Sequence, residues 1–308
     1  MATTTSITTT YAGEFAGKYI AAALLSADTI EKGLIEVMPN VHYKQVIQKV
    51  GTDDIVKDAT CDFTPTSTLT LSERVLTVEE FQVNLQLCRK DFLSTWQGAQ
   101  MGYSVYDSLP ADFSEFLIAH VASKVAQRIE TNIWQGVNAT AGQFDGFQVL
   151  LAADGDVIDV AAANVNAANV IEELGKVVDA IPAALYGKED LTIYVPQNVA
   201  KAYVRALGGF GASGLGANGV ENKGTMWYGS EPLYFDGIRV AMVNGLASNK
   251  MVAAQSSNLF FGSGLASDRN EVKVLDMQNL DGSDNIRVVM RFTAGVQHGV
   301  GADIVYYA

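Results

Sequence analysis

Residues Asp112 to Gly136 read DFSEFLIAHVASKVAQRIETNIWQG, a stretch that predicts one long helix. Its apolar residues recur at every fourth position and form a single stripe, which consists of Phe113, Leu117, Val121, Val125, Ile129 and Ile133. Asp112 with Glu115 three residues later is typical of a capping box, in which each side chain accepts a hydrogen bond from an otherwise unpaired backbone amide. Gly136 belongs to the residue type that most often follows a helix. We therefore predict a helix over residues 112–136, roughly 35 Å long.

Upstream of this helix the sequence alternates as strands do. VHYKQVIQKV begins at Val41, and STLTLSERVLTVEEFQVNLQLC ends at Cys88 with apolar and polar residues in turn. The polar stretch between them, GTDDIVKDATCDFTP, predicts a turn region. The segment from Val41 to Val78 is thus predicted to be a long hairpin. Because it has little apolar area to bury against its own body, it requires a partner.

Downstream of the long helix the pattern is that of an α/β region. We predict helices at Asn166–Ile181 and Gln197–Leu207 and strands at Leu191–Val195, Gly237–Val243 and KMVAAQ, then two longer strands at Glu271–Gln278 and Asn285–Val296 and a last strand at ADIVYY. At the other end of the chain, the Thr-rich first ten residues predict a mobile arm, followed by a helix over Glu14–Ser26 and a short helical turn before Gly33.

Composition limits the classes of protein that the chain can belong to. It has 308 residues and a net charge of -13, and its longest wholly apolar run, YIAAALL, is far shorter than the roughly 20 residues of a membrane-spanning helix. We expect no membrane segment and no secretory signal, hence a cytoplasmic site of synthesis. The acidic charge argues against tight nucleic-acid binding. Cys61 and Cys88 lack zinc-site spacing and are expected to be reduced, packed thiols.

A glycine-rich stretch, GGFGASGLGANG, runs from Gly208 to Gly219 and contains two overlapping copies of the G-x-G-x-x-G spacing of dinucleotide-binding loops. Such a loop needs a strand before its first glycine and a helix after its last. Here a predicted helix comes first, and the following VENKGTMWYGSEP cannot start a standard helix. The stretch is therefore interpreted as a pliable surface loop, and no cofactor is predicted.

No constellation in the sequence predicts catalysis or metal binding. The three histidines, His42, His120 and His298, lie in three distant predicted elements. Close acidic pairs occur three times, at Asp53 with Asp54, Asp154 with Asp156 and Asp281 with Asp284. Each pair falls in a predicted turn, where aspartate is favoured because it accepts hydrogen bonds from nearby backbone amides. We therefore predict no catalytic, cofactor-binding or metal-binding residue, and not an enzyme.

The order of these elements resembles the major capsid protein of tailed bacteriophages (Caudoviricetes), which has the HK97-type fold. The pieces that carry the resemblance are FQVNLQLCRKDFLSTWQ followed by LPADFSEFLIAHVASKVAQRIETNIWQG, and the succession of GIRVAMVNGL, MVAAQSSNLFFGSGL, EVKVLDMQ and ADIVYY. The resemblance covers nearly the whole chain and implies an α+β protein. Its parts would be an N-terminal arm, an extended β-hairpin loop, a peripheral domain with a long spine helix, and an α/β axial domain.

The resemblance divides the chain into six segments. These are the arm (1–40), the extended loop (41–78), the peripheral domain (79–140) with the spine helix at 112–136, the axial domain (141–264), the peripheral β-arm (265–298) and a final axial strand (299–308). The tip of the extended loop, with Lys49, Asp53, Asp54 and Lys57, would contact a neighbouring subunit. Four glycines of the axial domain would lie in loops near the symmetry axis, where copies adapt to five-fold and six-fold packing: Gly209, Gly211, Gly214 and Gly216.

The function implied is that of a virion shell. Copies of the chain would self-assemble into hexamers and pentamers of an icosahedral head in the cytoplasm of the bacterial host. The head would enclose double-stranded DNA without binding it specifically. Portal and decoration proteins are implied partners. The scaffold is expected to be a separate protein, because the sequence shows no long scaffolding region ahead of the arm. Some family members form a crosslink between a lysine and an asparagine, for which this sequence offers Lys49, Lys57, Asn279 and Asn285. The crosslinking motif does not align with this sequence, so no crosslink is predicted.

Two other functions stay open at the level of sequence. An encapsulin-like nanocompartment shell would share the fold and differ in its cargo. A soluble α/β enzyme with a β-rich appendage would instead be a particle of one or a few subunits, with a pocket of convergent polar residues. The exposed length of the predicted hairpin argues against the enzyme.

Overall fold

A computed structural model describes residues 28–52, 56–59, 61, 68–92, 111–208, 233–264, 272–278 and 282–308. The predicted helix at Glu14–Ser26 and the glycine-rich stretch beyond Gly208 lie outside these residues. Among the described residues, no helix is both long and apolar enough to cross a membrane.

The described helices are few and one of them is much longer than the rest. They are α1 (Asp28–Glu31), α2 (Ala111–Gln135), α3 (Phe147–Ala153), α4 (Val170–Asp179) and α5 (Gln197–Gly208). Single 3-10 turns occur at Arg89–Phe92, Ser256–Asn258 and Gly301–Asp303.

Thirteen strands are described. They are β1 (Glu36–Met38), β2 (Lys44–Thr52), β3 (Leu69–Thr77), β4 (Glu79–Cys88), β5 (Ile158–Val160), β6 (Leu191–Val195), β7 (Leu233–Phe235), β8 (Ile238–Met242), β9 (Met251–Gln255), β10 (Leu259–Gly262), β11 (Val272–Asp276), β12 (Asn285–His298) and β13 (Val305–Tyr307). Together with the helices they make an α+β protein, as predicted.

The long helix is confirmed, with a small difference at its start. α2 begins at Ala111, so Asp112 lies in its first turn and not ahead of it. The last turn of α2 ends at Gln135, and Gly136 follows as predicted, with its amide donating to the Asn132 carbonyl at 3.0 Å. The reason for glycine here is space. A Cβ at position 136 would lie 2.2 Å from the Phe144 carbonyl oxygen, because the next loop passes directly over it.

The described chain divides into two compact units. The smaller contains Glu80–Ile129 and Gly264–Thr293, and the larger contains Ala27–Glu79, Glu130–Ser263 and Ala294–Ala308. In the smaller unit, β12 pairs with β4 and antiparallel with β11. Val121 of α2 packs there against Leu87 of β4 and against Ile286 and Val288 of β12. Val121 and Val125 of the predicted apolar stripe therefore face a sheet.

The larger unit is built around a six-stranded sheet in the order β5-β13-β9-β6-β8-β7. Every residue of the central strand β6 is buried, as the continuous run LTIYV predicts for a strand covered on both sides. Leu174 and Val177 of α4 and Val199 of α5 belong to the same apolar core. In this unit β12 also pairs antiparallel with β10, which pairs in parallel with β1.

A buried tryptophan ties together four elements of the larger unit. The Trp134 ring lies 5.4 Å from the Phe147 ring of α3 and 5.2 Å from the Tyr194 ring of β6. Its Nε1 donates to Thr29 Oγ1 of α1 at 2.9 Å, and the Thr29 hydroxyl donates to the buried Glu130 carboxylate. Because all of these polar groups are paired, the burial of a charged side chain here is compensated.

We expect Gly136→Ala to destabilise the chain, because the added methyl group would have to displace the Phe144 and Asn132 carbonyl groups. Overpacking of this kind costs about 1–3 kcal/mol. Thermal unfolding monitored by circular dichroism measures the effect. Gly155→Ala is the matched control, because nothing lies within 4 Å of the corresponding Cβ. Equal unfolding temperatures for the two variants would contradict the assignment.

Candidate subunit-contact site

The predicted hairpin is present as a two-stranded ribbon. β2 and β3 pair antiparallel over nine residues, from Lys44 opposite Thr77 to Thr52 opposite Leu69. Within the described residues neither strand pairs with any other, so the two form a sheet by themselves. An isolated pair of strands is marginally stable in water, and it therefore depends on what packs against it.

The two faces of the ribbon differ in chemistry. Directly paired residues share a face, and successive residues alternate between faces. One face, here called the apolar face, carries Lys44, Val46, Gln48, Val50, Leu69, Leu71, Glu73, Val75 and Thr77. The other, here called the root face, carries Gln45, Ile47, Lys49, Gly51, Thr70, Ser72, Arg74 and Leu76.

The apolar face leaves large hydrophobic side chains in solvent. Val50, Leu69 and Leu71 are 58%, 64% and 68% exposed, and Val46 and Val75 nearer the base are 47% and 39% exposed. Scattered single hydrophobic residues are normal on a protein surface, but five on one face of a narrow ribbon form a stripe, which the polar pair Gln48 and Glu73 interrupts. Such a stripe marks an interaction surface.

At its base the ribbon is anchored by a buried apolar side chain. Leu76 on the root face is fully buried and packs with Val41 and Val78. Two glycines of the larger unit make room for the base of the ribbon, Gly262 for the Leu76 side chain and Gly295 for the Thr77 backbone. A Cβ at Gly262 would lie 2.6 Å from Leu76 Cδ2, and a Cβ at Gly295 would lie 2.2 Å from the Thr77 carbonyl oxygen.

A charged cluster lies close to Leu76 on the same face of the ribbon. Arg74 on the root face donates from Nη2 to the Asp154 carboxylate, and His298 Nε2 lies 2.8 Å from the same oxygen, Asp154 Oδ2. The other carboxylate oxygen accepts from the Asp156 amide at 3.2 Å. His298 is almost completely buried at the end of β12. The cluster thus joins the ribbon to the turn after α3 and to the end of β12.

Electrostatics set the protonation states of this cluster. Burial alone would raise the pKa of Asp154, but hydrogen bonds from His298, the Asp156 amide and Arg74 outweigh burial and hold that pKa below its ordinary value. Burial also lowers the pKa of His298, more than the hydrogen bond to Asp154 raises it. The ring is therefore neutral at neutral pH and donates to Asp154 from Nε2.

A cleft opens where the apolar face meets the body. Val75 and Thr77 of the ribbon line it together with the apolar residues Phe144, Leu150 and Val296. Its volume is about 270 Å³.

Polar groups surround this cleft. Glu79 and Asp145 are the two acidic residues of its lining. Gln297, which also lines it, donates from its amide to the Val75 carbonyl at 3.1 Å and so holds the ribbon in place. The apolar face of the ribbon therefore continues into a cleft whose lining is both apolar and acidic.

The structure places some of the predicted site residues and leaves others outside its described part. Lys49 lies on the root face, half-buried, and Lys57 is exposed in the segment 56–59. Asp53 and Asp54 lie outside the described residues, as do Gly209, Gly211, Gly214 and Gly216. The proposed contact roles of all these residues stay predictions.

The sequence analysis did not foresee some contacts at the base of the ribbon, and one of its predictions for the cysteines was wrong. Asp154 does accept a backbone amide in a turn, as expected, but it also pairs with Arg74 and His298. No local signal could have shown this, because the partners are 80 and 144 positions away. The prediction for the thiols was right in one respect and wrong in another. Both cysteines are free, but Cys61 is exposed and not packed.

No protein-family model matches the sequence, and no curated protein sequence matches it either. Solved structures match along nearly the whole chain. The capsid of a native GTA particle, computed with C5 symmetry, is 16% identical with a TM-score of 0.64, and the match covers 95% of this chain and 94% of that chain. The capsid of Myoviridae phage XM1 is 13% identical with a TM-score of 0.58, covering 96% and 95%. A chain of the satellite phage P4 procapsid, in a structure that includes the size determination protein Sid, is 10% identical with a TM-score of 0.53, covering 90% and 96%.

These matches show the fold of the chain. It is the HK97-like fold of phage capsid proteins, as the order of the sequence elements implied. Sequence identity this low reflects a shared backbone arrangement and not shared side chains. The role of the fold in this chain has to be argued from the ribbon and its surroundings.

The charged cluster makes stability depend on pH, with a defined sign. His298 has a lower pKa in the folded chain than its ordinary 6.5, so below that pH the unfolded chain takes up a proton first and stability falls. Asp154, also depressed, adds a loss in the same direction at lower pH. We expect the unfolding temperature to fall between about pH 7.5 and about pH 5, and to fall less steeply in His298→Gln. Identical slopes for the two proteins would show that His298 does not contribute.

Proposed function

We propose that this chain is the major capsid protein of a tailed bacteriophage. The observation that carries the proposal is the exposed ribbon. A two-stranded sheet with five exposed hydrophobic residues on one face is suited to an assembled state and not to an isolated chain. The fold supports the same conclusion, since the solved structures that it matches are phage and GTA capsids.

On this proposal the ribbon lies across a neighbouring copy and makes a head-to-tail contact. Contacts of this type close into rings when the rotation between subunits permits, which gives pentamers and hexamers of an icosahedral head. Each contact can be weak enough to break and re-form during assembly, because closure of the ring adds the contacts together. The mechanism is self-assembly without catalytic turnover, and it requires no cofactor.

The parts of the subunit are assigned accordingly. α2 is the spine helix of the peripheral domain, β11 and most of β12 form its β-arm, and residues 141–264 with β13 form the axial domain. The glycines of the stretch after α5 lie near the symmetry axis in this assignment. The virion is the final location of the chain, after assembly in the bacterial cytoplasm.

Separate proteins complete the particle on this proposal. A portal, a scaffold and decoration proteins are the expected partners. A matched procapsid structure that includes a size determination protein supports the idea that a separate protein guides assembly of this fold.

The ribbon can be tested by shortening it without disturbing its root. Replacing residues 49–72 with Asn-Gly joins the opposed pair Gln48 and Glu73 through a two-residue turn suited to a hairpin, and it keeps Arg74 and Leu76. We expect the full chain to form rings and closed particles in sedimentation velocity and negative-stain images. The shortened chain should remain monomeric, with nearly the same unfolding temperature.

Two results would count against the proposal. A full chain that sediments only as a monomer at every concentration tested, with co-expressed scaffold as well as without it, would overturn the capsid function. Assembly of the shortened chain into the same particles would show that the ribbon does not carry the contact.

The enclosed DNA is expected to be held without specific binding. A net charge of -13 opposes adhesion to phosphate groups, so the inner wall should let the genome move during packaging. We expect the purified chain to be poorly retained on double-stranded DNA at low salt and unretained at physiological salt. Strong retention with a steep dependence on salt concentration would contradict this prediction.

A further inference from the structure

We infer that the apolar face of the ribbon is the surface that contacts a second copy of the chain, and that the root face takes no part in this contact. The inference rests on the proposed function and adds to it the side of the ribbon that a neighbour covers. Residues that are adjacent in sequence, such as Leu71 and Ser72, therefore have different roles.

The chemistry of the two faces supports this division. Beyond the anchored base, the apolar face presents Val50, Leu69 and Leu71, each more than half exposed. The root face over the same length presents Lys49, Thr70 and Ser72 with Gly51. Burial of the first set removes large hydrophobic side chains from water, whereas burial of the second set would remove polar groups that need new hydrogen bonds.

The anchored base of the ribbon determines which face is available to a neighbouring copy. Leu76 and Arg74 both lie on the root face, and both are held by the body of the larger unit, one by burial and the other by Asp154. A ribbon fixed by this face at its base leaves the hydrophobic residues of its opposite face exposed beyond the base. The orientation of the apolar stripe is therefore built into the subunit before any neighbour arrives.

The distribution of charge favours this face for contact between two copies of the chain. The chain carries a net charge of -13, so two copies repel each other over most of their surfaces. The apolar face has one basic residue, Lys44, and one acidic residue, Glu73, and is electrically balanced. A balanced apolar surface is where copies of an acidic chain can approach most closely.

The size of the face also fits a repeated assembly. A two-stranded ribbon of nine residues covers roughly 30 by 10 Å, or about 300 Å² on one face. A stable pairwise complex buries about 800 Å² on each partner. The face is too small to hold a dimer alone, and it contributes as one contact among several in a closed ring.

The cleft at the base extends the same surface. Val75 and Thr77 belong to the apolar face and also line the cleft with Phe144 and Leu150. A segment of the neighbour that lies along the apolar face would reach this cleft at its end. The carboxylates of Glu79 and Asp145 in its lining favour a basic or amide-bearing end of that segment.

One pair of adjacent substitutions separates the two faces. Leu71→Asp places a charge on the apolar face, and Ser72→Asp places the same charge one residue further along the same strand, on the root face. Leu71 and Ser72 are both exposed in the single chain, so both variants should fold with similar unfolding temperatures. We expect Leu71→Asp to lower the assembled fraction at least about tenfold in sedimentation velocity, and Ser72→Asp to change it less than about twofold.

The outcomes distinguish the inference from the proposed function. If the unmodified chain does not assemble, the capsid function itself fails. If the unmodified chain assembles and the two variants assemble equally well or equally poorly, the capsid function stands and the choice of face is wrong. A loss confined to Ser72→Asp would assign the contact to the root face instead.

Thiol labelling gives a second readout that does not depend on the amount assembled. In a background with Cys61→Ser and Cys88→Ser, Val50→Cys and Lys49→Cys place a single thiol on the apolar face or on the root face, at adjacent positions of β2. We expect a maleimide reagent to label both in single subunits, and assembly to protect Val50→Cys at least about tenfold more than Lys49→Cys. Equal protection, or stronger protection of Lys49→Cys, would overturn the inference.

Discussion

The burial of one leucine side chain at the base of the ribbon controls which face of the ribbon is exposed. Leu76 enters a space that is open because position 262 is glycine, and Gly295 lets the Thr77 backbone pass close to β12. Arg74, two residues before Leu76, pairs with Asp154 on the same side. A two-stranded sheet has no second layer to define its direction. The buried leucine and the ion pair supply that definition: one face of the ribbon is held at its base by its own subunit, and the other carries the exposed hydrophobic side chains.

The anchor combines an apolar contact with a charged one, and the two respond differently to conditions. The leucine contact does not depend on pH, whereas the Arg74–Asp154–His298 cluster loses stability as the solution becomes acidic. Partly buried charges cost desolvation energy and contribute when each polar atom has a partner. Here Asp154 accepts hydrogen bonds from three groups, which explains why a carboxylate is stable beside a buried histidine.

Sequence patterns predicted the larger elements well and the smaller ones poorly. The helix α2, the strand β6 and the β2–β3 ribbon were all foreseen, because each has many residues that repeat at the period of its structure. The three-residue strands β1, β5 and β7 and the helix α3 were not, since so few residues establish no period. They form because tertiary neighbours offer hydrogen bonds, as β10 does for β1 and β13 does for β5. Likewise, Gly136 was expected to end a helix, but the reason that glycine is required there is the Phe144 carbonyl directly above it.

The amino-acid sequence alone was sufficient to establish an acidic α+β chain, a long helix and a hairpin with apolar residues in excess of those that it can bury against the rest of the chain. These properties depend on composition and on short-range periodicity, which a linear sequence contains in full. Which side of the hairpin faces outward could be known only from the folded chain. It depends on Leu76, Arg74, Asp154 and His298 meeting at one place, and contacts between residues as many as 144 positions apart arise from packing that no local pattern records.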